Sequence, residues 1–207
     1  MDPRWASENL HVIRLLMERS AIYRRALAPV MLFLGVAGIL AAVAGLLARP
    51  LVGMWFGWYW LAISLIGISG AYLLVRRQAL KDHEPFWSPP TRRVTQALAP
   101  PMAAGLALSL FTLTSKSLET SELWRLSALW MLLYGCALHA AGFFMQRGIR
   151  LFGWGFILAG CGMAGYMACS PVPPLPYAHA VMGFVFGGLH LAYGVYLCYT
   201  EARKDEP

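Results

Sequence analysis

Six long apolar runs, none of which contains Asp, Glu, Lys or Arg, dominate this sequence. They cover approximately residues 27–48, 53–75, 94–114, 126–146, 151–169 and 178–199. A helix that crosses a bilayer needs about 20 apolar residues, because the hydrocarbon layer is about 30 Å thick and each residue rises about 1.5 Å. The connections are too short to hold a separate soluble domain. The pattern predicts an all-α, polytopic membrane protein whose six transmembrane helices occupy residues 26–200.

The basic residues are distributed unequally between the two ends of these runs. If the N-terminus is cytoplasmic, fourteen of the 17 Lys and Arg residues lie on the cytoplasmic side. The other three are Arg49, Lys116 and Arg125. Because cytoplasmic loops carry an excess of Lys and Arg, we expect a multi-pass membrane protein with both termini, including a tail at 201–207, in the cytoplasm. We expect the cations to contact membrane lipid and not nucleic acid.

The first 25 residues precede the first apolar run and differ from it in pattern. The stretch "NLHVIRLLMERSAIYRR", residues 9–25, places apolar side chains on one side of a helix and polar side chains on another. It predicts a cytoplasmic amphipathic helix at the membrane surface. Such a helix could dock a partner or could simply lead into the first span.

Two short similarities relate the halves of the chain. "MLFLGVA" at 31–37 resembles "MLLYGCA" at 131–137, and "FGW" at 56–58 recurs at 152–154. The first and fourth spans run in opposite directions. Either the chain consists of two three-helix halves of inverted topology, or the matches arise by chance between apolar sequences.

Pro100 and Pro101 interrupt the third apolar run near its start. Each proline lacks an N–H, so the carbonyls of Gln96 and Ala97 lose their helical partners. We expect a kinked helix with its break near the cytoplasmic face. The break could re-aim the helix onto its neighbours or line a polar cavity. Alternatively, the span begins at Pro101 and residues 89–99 form a separate interfacial turn.

Histidines are the remaining candidates for chemistry within the spans. His190 is the strongest, because Gly187 and Gly188 precede it and allow a helix or ligand to approach closely. His139 lies at a comparable depth in the fourth span, whereas His179 is expected near the outer interface. His139 and His190 could together ligate a b-type haem. The favoured alternative is that each makes one interhelical hydrogen bond, and no other cofactor or metal is predicted.

Signatures of catalysis and ion coupling are missing from the runs. They contain no mid-membrane carboxylate for a proton or ion relay. No Ser-His-Asp set, phosphate loop or HExxH motif occurs at readable spacing. We therefore predict no catalytic residues and a non-enzymatic protein, although catalytic groups can converge from distant positions.

Four short motifs resemble those of a group of uncharacterised bacterial six-span inner-membrane proteins. They are MER (Met17–Arg19), APP (Ala99–Pro101), LYG (Leu133–Gly135) and GGLH (Gly187–His190). The resemblance covers about residues 9–198. It implies the six-span fold and the inner-membrane location, and it implies a shared role for Pro100, Pro101 and His190. It implies no particular activity.

The expected function follows from an uncharged interior rich in glycine and aromatic residues. We expect the protein to bind a lipid or small apolar ligand, or to serve as the membrane subunit of a partner protein or homo-oligomer. One alternative is a small transporter or a substrate-binding membrane component, similar in size to the vitamin-binding subunits of energy-coupling transporters. The other alternative is the b-type haem protein.

Overall fold

The structure, a computed structural model, describes residues 26–48, 52–83, 85–115, 118–145 and 147–202. Within these ranges the chain forms helices and no strand, which confirms the all-α prediction. The helices are α1 (Ala26–Leu47), α2 (Val52–Lys81), α3 (Pro89–Leu113), α4 (Thr120–Ala141), α5 (Arg147–Cys169) and α6, made of three consecutive parts, Pro176–Met182, Gly183–Gly188 and Leu189–Ala202. The predicted amphipathic helix at 9–25 lies outside the described residues.

Five of the six helices are long and apolar enough to cross a membrane, and α4 is the exception. The sequence predicted six such helices, with the fourth at 126–146. Instead, α4 begins earlier, at Thr120, and its first turns contain an ion pair of 2.7 Å between Glu122 and Arg125. These charges lower the hydropathy of α4. Both charged side chains lie near the start of α4 and are exposed, by 41% for Glu122 and 67% for Arg125, so they need no buried partner other than each other. The helix packs against α3 and α5.

Glycines allow α1 and α6 to pack with their backbones in contact. A Cβ atom placed on Gly38 would lie 2.9 Å from the Cα atom of Gly187, and one placed on Gly187 would lie 2.7 Å from the backbone nitrogen of Ile39. No side chain fits at these distances. Where lipid replaces water, such close packing is a main source of helix association, because lipid tails are as apolar as the side chains.

Helices α4 and α5 are joined by a second contact of the same kind. A Cβ atom on Gly135 would lie 2.7 Å from the carbonyl oxygen of Gly153, and one on Gly153 would lie 2.7 Å from the backbone nitrogen of His139. Trp130 then links α4 to α3, since its Nε1 donates to the buried Ser109 hydroxyl at 2.7 Å. Two closely packed helix pairs, α1 with α6 and α4 with α5, therefore form the centre of the fold.

The outer surface of the helices is strongly apolar. In the most hydrophobic 18-residue stretch of Trp55–Lys81, only 6% of the residues are buried. The corresponding value for Gly148–Cys169 is 17%. The large apolar side chains that point outward include Leu65, Ile66, Leu73, Leu106, Phe111, Leu151, Leu158 and Phe184. A monomeric protein in water rarely exposes so continuous an apolar surface.

Candidate functional site

His190 lies in α6 and has a hydrogen-bond partner for each ring nitrogen. Its Nδ1 is 2.5 Å from the carbonyl oxygen of Phe186, and its Nε2 is 2.7 Å from the hydroxyl of Tyr134 on α4. A carbonyl oxygen can only accept, so Nδ1 carries the proton and Nε2 accepts from Tyr134. The ring is 3% exposed. This arrangement fixes one tautomer and leaves no lone pair for a ligand.

Aromatic rings from α5 and α6 enclose this hydrogen-bonded pair. Phe152 and Phe156 meet the imidazole edge-on, with ring centroids 5.0 and 5.4 Å away. Phe156 also contacts Tyr134 at 4.9 Å, and Tyr193 stacks on Phe152 at 4.8 Å. We call these residues, with Phe186, the His190 cluster. It fastens α4, α5 and α6 together and matches the predicted interhelical hydrogen bond of His190.

His139 belongs to a different environment at the end of α4. Its ring meets Phe143 and Trp154 edge-on, at 5.4 and 5.6 Å, and neither residue contacts His190. Its Nδ1 is buried with no hydrogen-bond partner among the described residues. Joint ligation of a haem by His139 and His190 would first require the Tyr134 hydroxyl to leave Nε2 of His190, because that lone pair would bind the iron. The haem hypothesis remains a prediction.

His179 lies near the start of α6 and is buried between helices. It is 1% exposed and lies where α6 meets α1 and α2. The indole Nε1 of Trp60 donates to its Nδ1 at 3.2 Å, and Phe56 packs edge-on at 4.8 Å. The ring also contacts Tyr59 at 5.8 Å and lies directly over Gly45, where any side chain would collide with it. We call these residues the His179 cluster.

The hydrogen bonds of His179 among the described residues use only one of its two ring nitrogens. Because the indole N–H can only donate, Nδ1 is the acceptor and the neutral ring carries its proton on Nε2. That N–H is buried without an acceptor among the described residues. A buried unpaired donor costs about 1–3 kcal/mol. The recurring "FGW" was a partial sequence signal, because its first residue supplies one ring to each cluster, Phe56 to that of His179 and Phe152 to that of His190.

A π-helical segment, Gly183–Gly188, lies between the two histidines. His179 and His190 are eleven residues apart, which is about three turns of α-helix and would place them on one face. A π turn takes in one more residue, so it rotates the following part of the helix by about 100° relative to a regular α-helix. His179 can therefore face α1 and α2 while His190 faces α4 and α5.

The two glycines before His190 have different surroundings. Gly187 faces α1 at backbone contact, as expected from the sequence. Gly188 does not, because the nearest atom to a Cβ placed there is the ring of Phe184 on the same helix, at 3.9 Å. Gly187 alone therefore serves close helix packing.

Pro100 and Pro101 lie within one continuous helix, since α3 runs from Pro89 to Leu113. The structure thus contains no separate turn over residues 89–99. Gln96 and Pro100 are exposed and Pro101 is half-buried. The side of α3 that carries Gln96 and Pro100 therefore faces away from the neighbouring helices. The carbonyl of Gln96 lies only about 10 Å from the start of α3, where water or lipid headgroups can reach it.

An open groove lies at the opposite end of the bundle from the α2–α3 turn. Its volume is about 470 Å³, and it is lined by Trp124, Met163, Tyr166, Pro173, Tyr177 and Val181. The indole Nε1 of Trp124 donates to the carbonyl of Pro173 at 2.9 Å, which holds the α5–α6 connection against α4. The lining is almost entirely apolar, with two exposed tyrosines among the lining residues. The groove can take an apolar body and offer hydroxyls to a polar end.

No protein-family model, no curated protein and no solved structure matches the chain. The resemblance to bacterial six-span inner-membrane proteins remains a prediction. Of its motif residues, geometry gives Gly135, Gly187 and His190 packing roles, and it places Pro100 on an outer surface.

Proposed function

We propose that the chain is an integral protein of the bacterial inner membrane with six spans and both termini in the cytoplasm. The apolar outer surface of α2, α3 and α5 supports lipid as the surrounding medium. Although α4 is less hydrophobic, it lies between α3 and α5 and would cross with them. Both ends of the bundle then face water, which agrees with the charged residues at the helix ends.

Orientation is supported by the described cations. Arg76, Arg77 and Lys81 end α2, while Arg92 and Arg93 begin α3, so five cations share one end. Arg125 lies at the other end. Under the positive-inside rule, the α2–α3 turn is cytoplasmic and the groove is on the outer side.

Within this membrane frame we infer that the protein binds a lipid or small apolar ligand. The groove at Trp124 is the observation that carries this proposal. Its 470 Å³ falls within the usual range of ligand sites, about 300–1,000 Å³. It lies at the helix ends, where the acyl chain of a lipid and its polar head meet, and Tyr166 and Tyr177 suit that boundary.

Native mass spectrometry of the protein in a mild detergent tests the proposal. We expect retained lipid or another apolar molecule, and we expect Met163→Trp to remove it by filling the groove. The control is Leu158→Trp on the same helix, because Leu158 is 64% exposed and outside the groove. Protein that carries no adduct, or an adduct that survives Met163→Trp as well as Leu158→Trp, would refute the proposal.

A transporter or substrate-binding membrane component is the second candidate. It rests on the sequence similarities between the two halves of the chain, in which Phe56 and Phe152 open the two "FGW" copies and each packs against a buried histidine of α6. Transport of a groove ligand into proteoliposomes would separate this candidate from simple binding. Assembly with a copy of itself or with a partner protein would appear as a higher mass in the same spectra.

A further inference from the structure

Five cations lie close together in sequence across the α2–α3 turn. They are Arg76, Arg77, Lys81, Arg92 and Arg93, and residues 76–93 are called the basic hairpin below. All five side chains are exposed. The same stretch contains two acids, Asp82 and Glu84, so its formal charge is positive. The side-chain amide of Gln78 donates to Asp82 at 3.0 Å.

Local contacts hold the two arms of the basic hairpin against each other. His83 has a φ of 52°, a left-handed conformation that reverses the chain directly after α2. Phe86 then packs edge-on against Tyr72 of α2, with ring centroids 5.1 Å apart. Ser88 and Thr91 share a hydroxyl–hydroxyl hydrogen bond of 3.0 Å at the start of α3. The cations of both helices are therefore held at one end of the bundle.

The cations of the basic hairpin differ from Arg125 and Arg150 in their contacts with the part of the chain that the structure describes. Arg125 forms an ion pair of 2.7 Å with Glu122, and Arg150 lies over the ring of Phe143 at 5.1 Å. By contrast, none of the five has an ion pair, hydrogen bond or ring contact among the described residues. Their charge is available to an external anion.

The exposed ring of Trp87 indicates where the basic hairpin would lie relative to the lipid headgroups. Trp87 is 61% exposed, and its ring lies 6.3 Å from that of Phe86. An exposed indole beside a membrane span favours the level of the lipid headgroups. Lys81 and Arg92, the cations that precede and follow Trp87 in the sequence, would then lie near the level of the phosphates.

We propose that the basic hairpin is a binding surface for anionic phospholipid, with the guanidinium and ammonium groups contacting headgroup phosphates of the cytoplasmic leaflet. The proposal rests on the membrane location proposed above, but it does not depend on the groove. Arginine suits this role because its planar fork can donate two hydrogen bonds to one phosphate. Each cation near an anionic surface strengthens attraction several-fold.

The test titrates full-length protein in a non-ionic detergent with phosphatidylglycerol, phosphatidylcholine or inorganic phosphate, and counts bound molecules by native mass spectrometry. We expect phosphatidylglycerol to bind more tightly than either other probe. Arg92→Gln with Arg93→Gln should weaken its binding roughly tenfold. Arg92→Lys with Arg93→Lys should retain most of it, because the charge remains.

Arg125→Gln is the matched control, since Arg125 is at the opposite end of the bundle and already has a partner. Equal binding of the two lipids would overturn the proposal, as would binding unchanged by the double Gln variant. Inorganic phosphate binding as tightly as phosphatidylglycerol would assign the surface to free anions and overturn it too. If the double variant does not fold, Arg76→Gln with Arg77→Gln makes the same test on the other arm.

Two further measurements separate this proposal from the proposed function. A chain released from membranes by alkaline carbonate would refute the membrane location itself. Loss of groove ligand in Met163→Trp, with phosphatidylglycerol binding intact, would leave the basic hairpin independent of the groove.

Discussion

The His190 cluster and the His179 cluster are built from the same parts, yet only the first is fully hydrogen-bonded. Each has a buried histidine of α6 between two aromatic residues spaced four apart on a neighbouring helix. Tyr134 donates to Nε2 of His190, whereas Nε2 of His179 has no partner among the described residues. Burial among aromatic rings therefore does not by itself determine how a histidine is hydrogen-bonded. The two clusters differ in whether both ring nitrogens have hydrogen-bond partners among the described residues.

The π segment makes the two environments compatible with one helix. By turning the second part of α6 by about 100°, it aims His190 at α4 and α5 while His179 remains on α1 and α2. The following predictions test this arrangement, in order of decreasing effect.

Insertion of one alanine after Phe184 should have the largest effect. Phe184 lies in the π segment and is 76% exposed, so its side chain contributes little packing. The segment already accommodates one extra residue, so a second should rotate His190 by about 100° away from Tyr134. We expect little or no folded protein by size-exclusion chromatography in detergent. Phe184→Ala is the control and should fold normally, and deletion of Phe184 should be tolerated because it restores an α-helix with His190 in the same orientation; a stable insertion variant would show that the register is not needed.

His190→Phe should destabilise the protein by about 3 kcal/mol. The change preserves the ring but leaves the Tyr134 hydroxyl buried without its partner, at about 1–3 kcal/mol, and removes the side-chain bond to the Phe186 carbonyl, at about 0.5–1.5 kcal/mol. Thermal or denaturant unfolding in detergent measures it. Adding Tyr134→Phe should recover part of the loss, because the unpaired hydroxyl is then absent. If the double variant is no more stable than His190→Phe, the hydrogen bond is not the source of the effect.

Much of the fold, and less of the sites, can be predicted from the sequence. Helices α1, α2, α3, α5 and α6 follow from apolar runs of membrane length, and His190 follows from the glycines before it. The fourth apolar run, 126–146, predicted α4 but not its start at Thr120, because the exposed pair of Glu122 and Arg125 lies outside that run. The burial of His179 and the groove at Trp124 arise from tertiary packing. The π segment is defined by backbone hydrogen bonds between residues five apart instead of four. The pattern of apolar and polar residues does not specify this difference.

Gly187→Ala and Gly188→Ala should differ although the glycines are adjacent. The first places a methyl group 2.7 Å from the backbone of Ile39 and should cost about 2 kcal/mol through overpacking. The second meets only the ring of Phe184 at 3.9 Å and should be neutral within about 0.5 kcal/mol. Unfolding of both variants under one condition measures the difference. Equal stabilities would contradict the backbone contact between α1 and α6.

His179→Phe should have the smallest effect, within about 1 kcal/mol of zero. It removes the unpaired Nε2–H, which is favourable, and it deprives the Trp60 indole of its acceptor, which is unfavourable. Trp60→Phe should be more damaging, because it leaves both nitrogens of His179 unpaired. A loss in His179→Phe as large as that in His190→Phe would mean that Nε2 of His179 has a partner after all.

Cysteine accessibility tests most directly the claim that these helices cross a bilayer with the α2–α3 turn in the cytoplasm. Pro85→Cys and Ser115→Cys place single thiols at exposed positions beyond opposite ends of α3, in a chain whose four native cysteines are replaced by alanine. In spheroplasts, a membrane-impermeant maleimide should label Ser115→Cys at once and Pro85→Cys only after permeabilisation. Labelling of Pro85→Cys in sealed spheroplasts, or equal labelling of the two, would contradict the account.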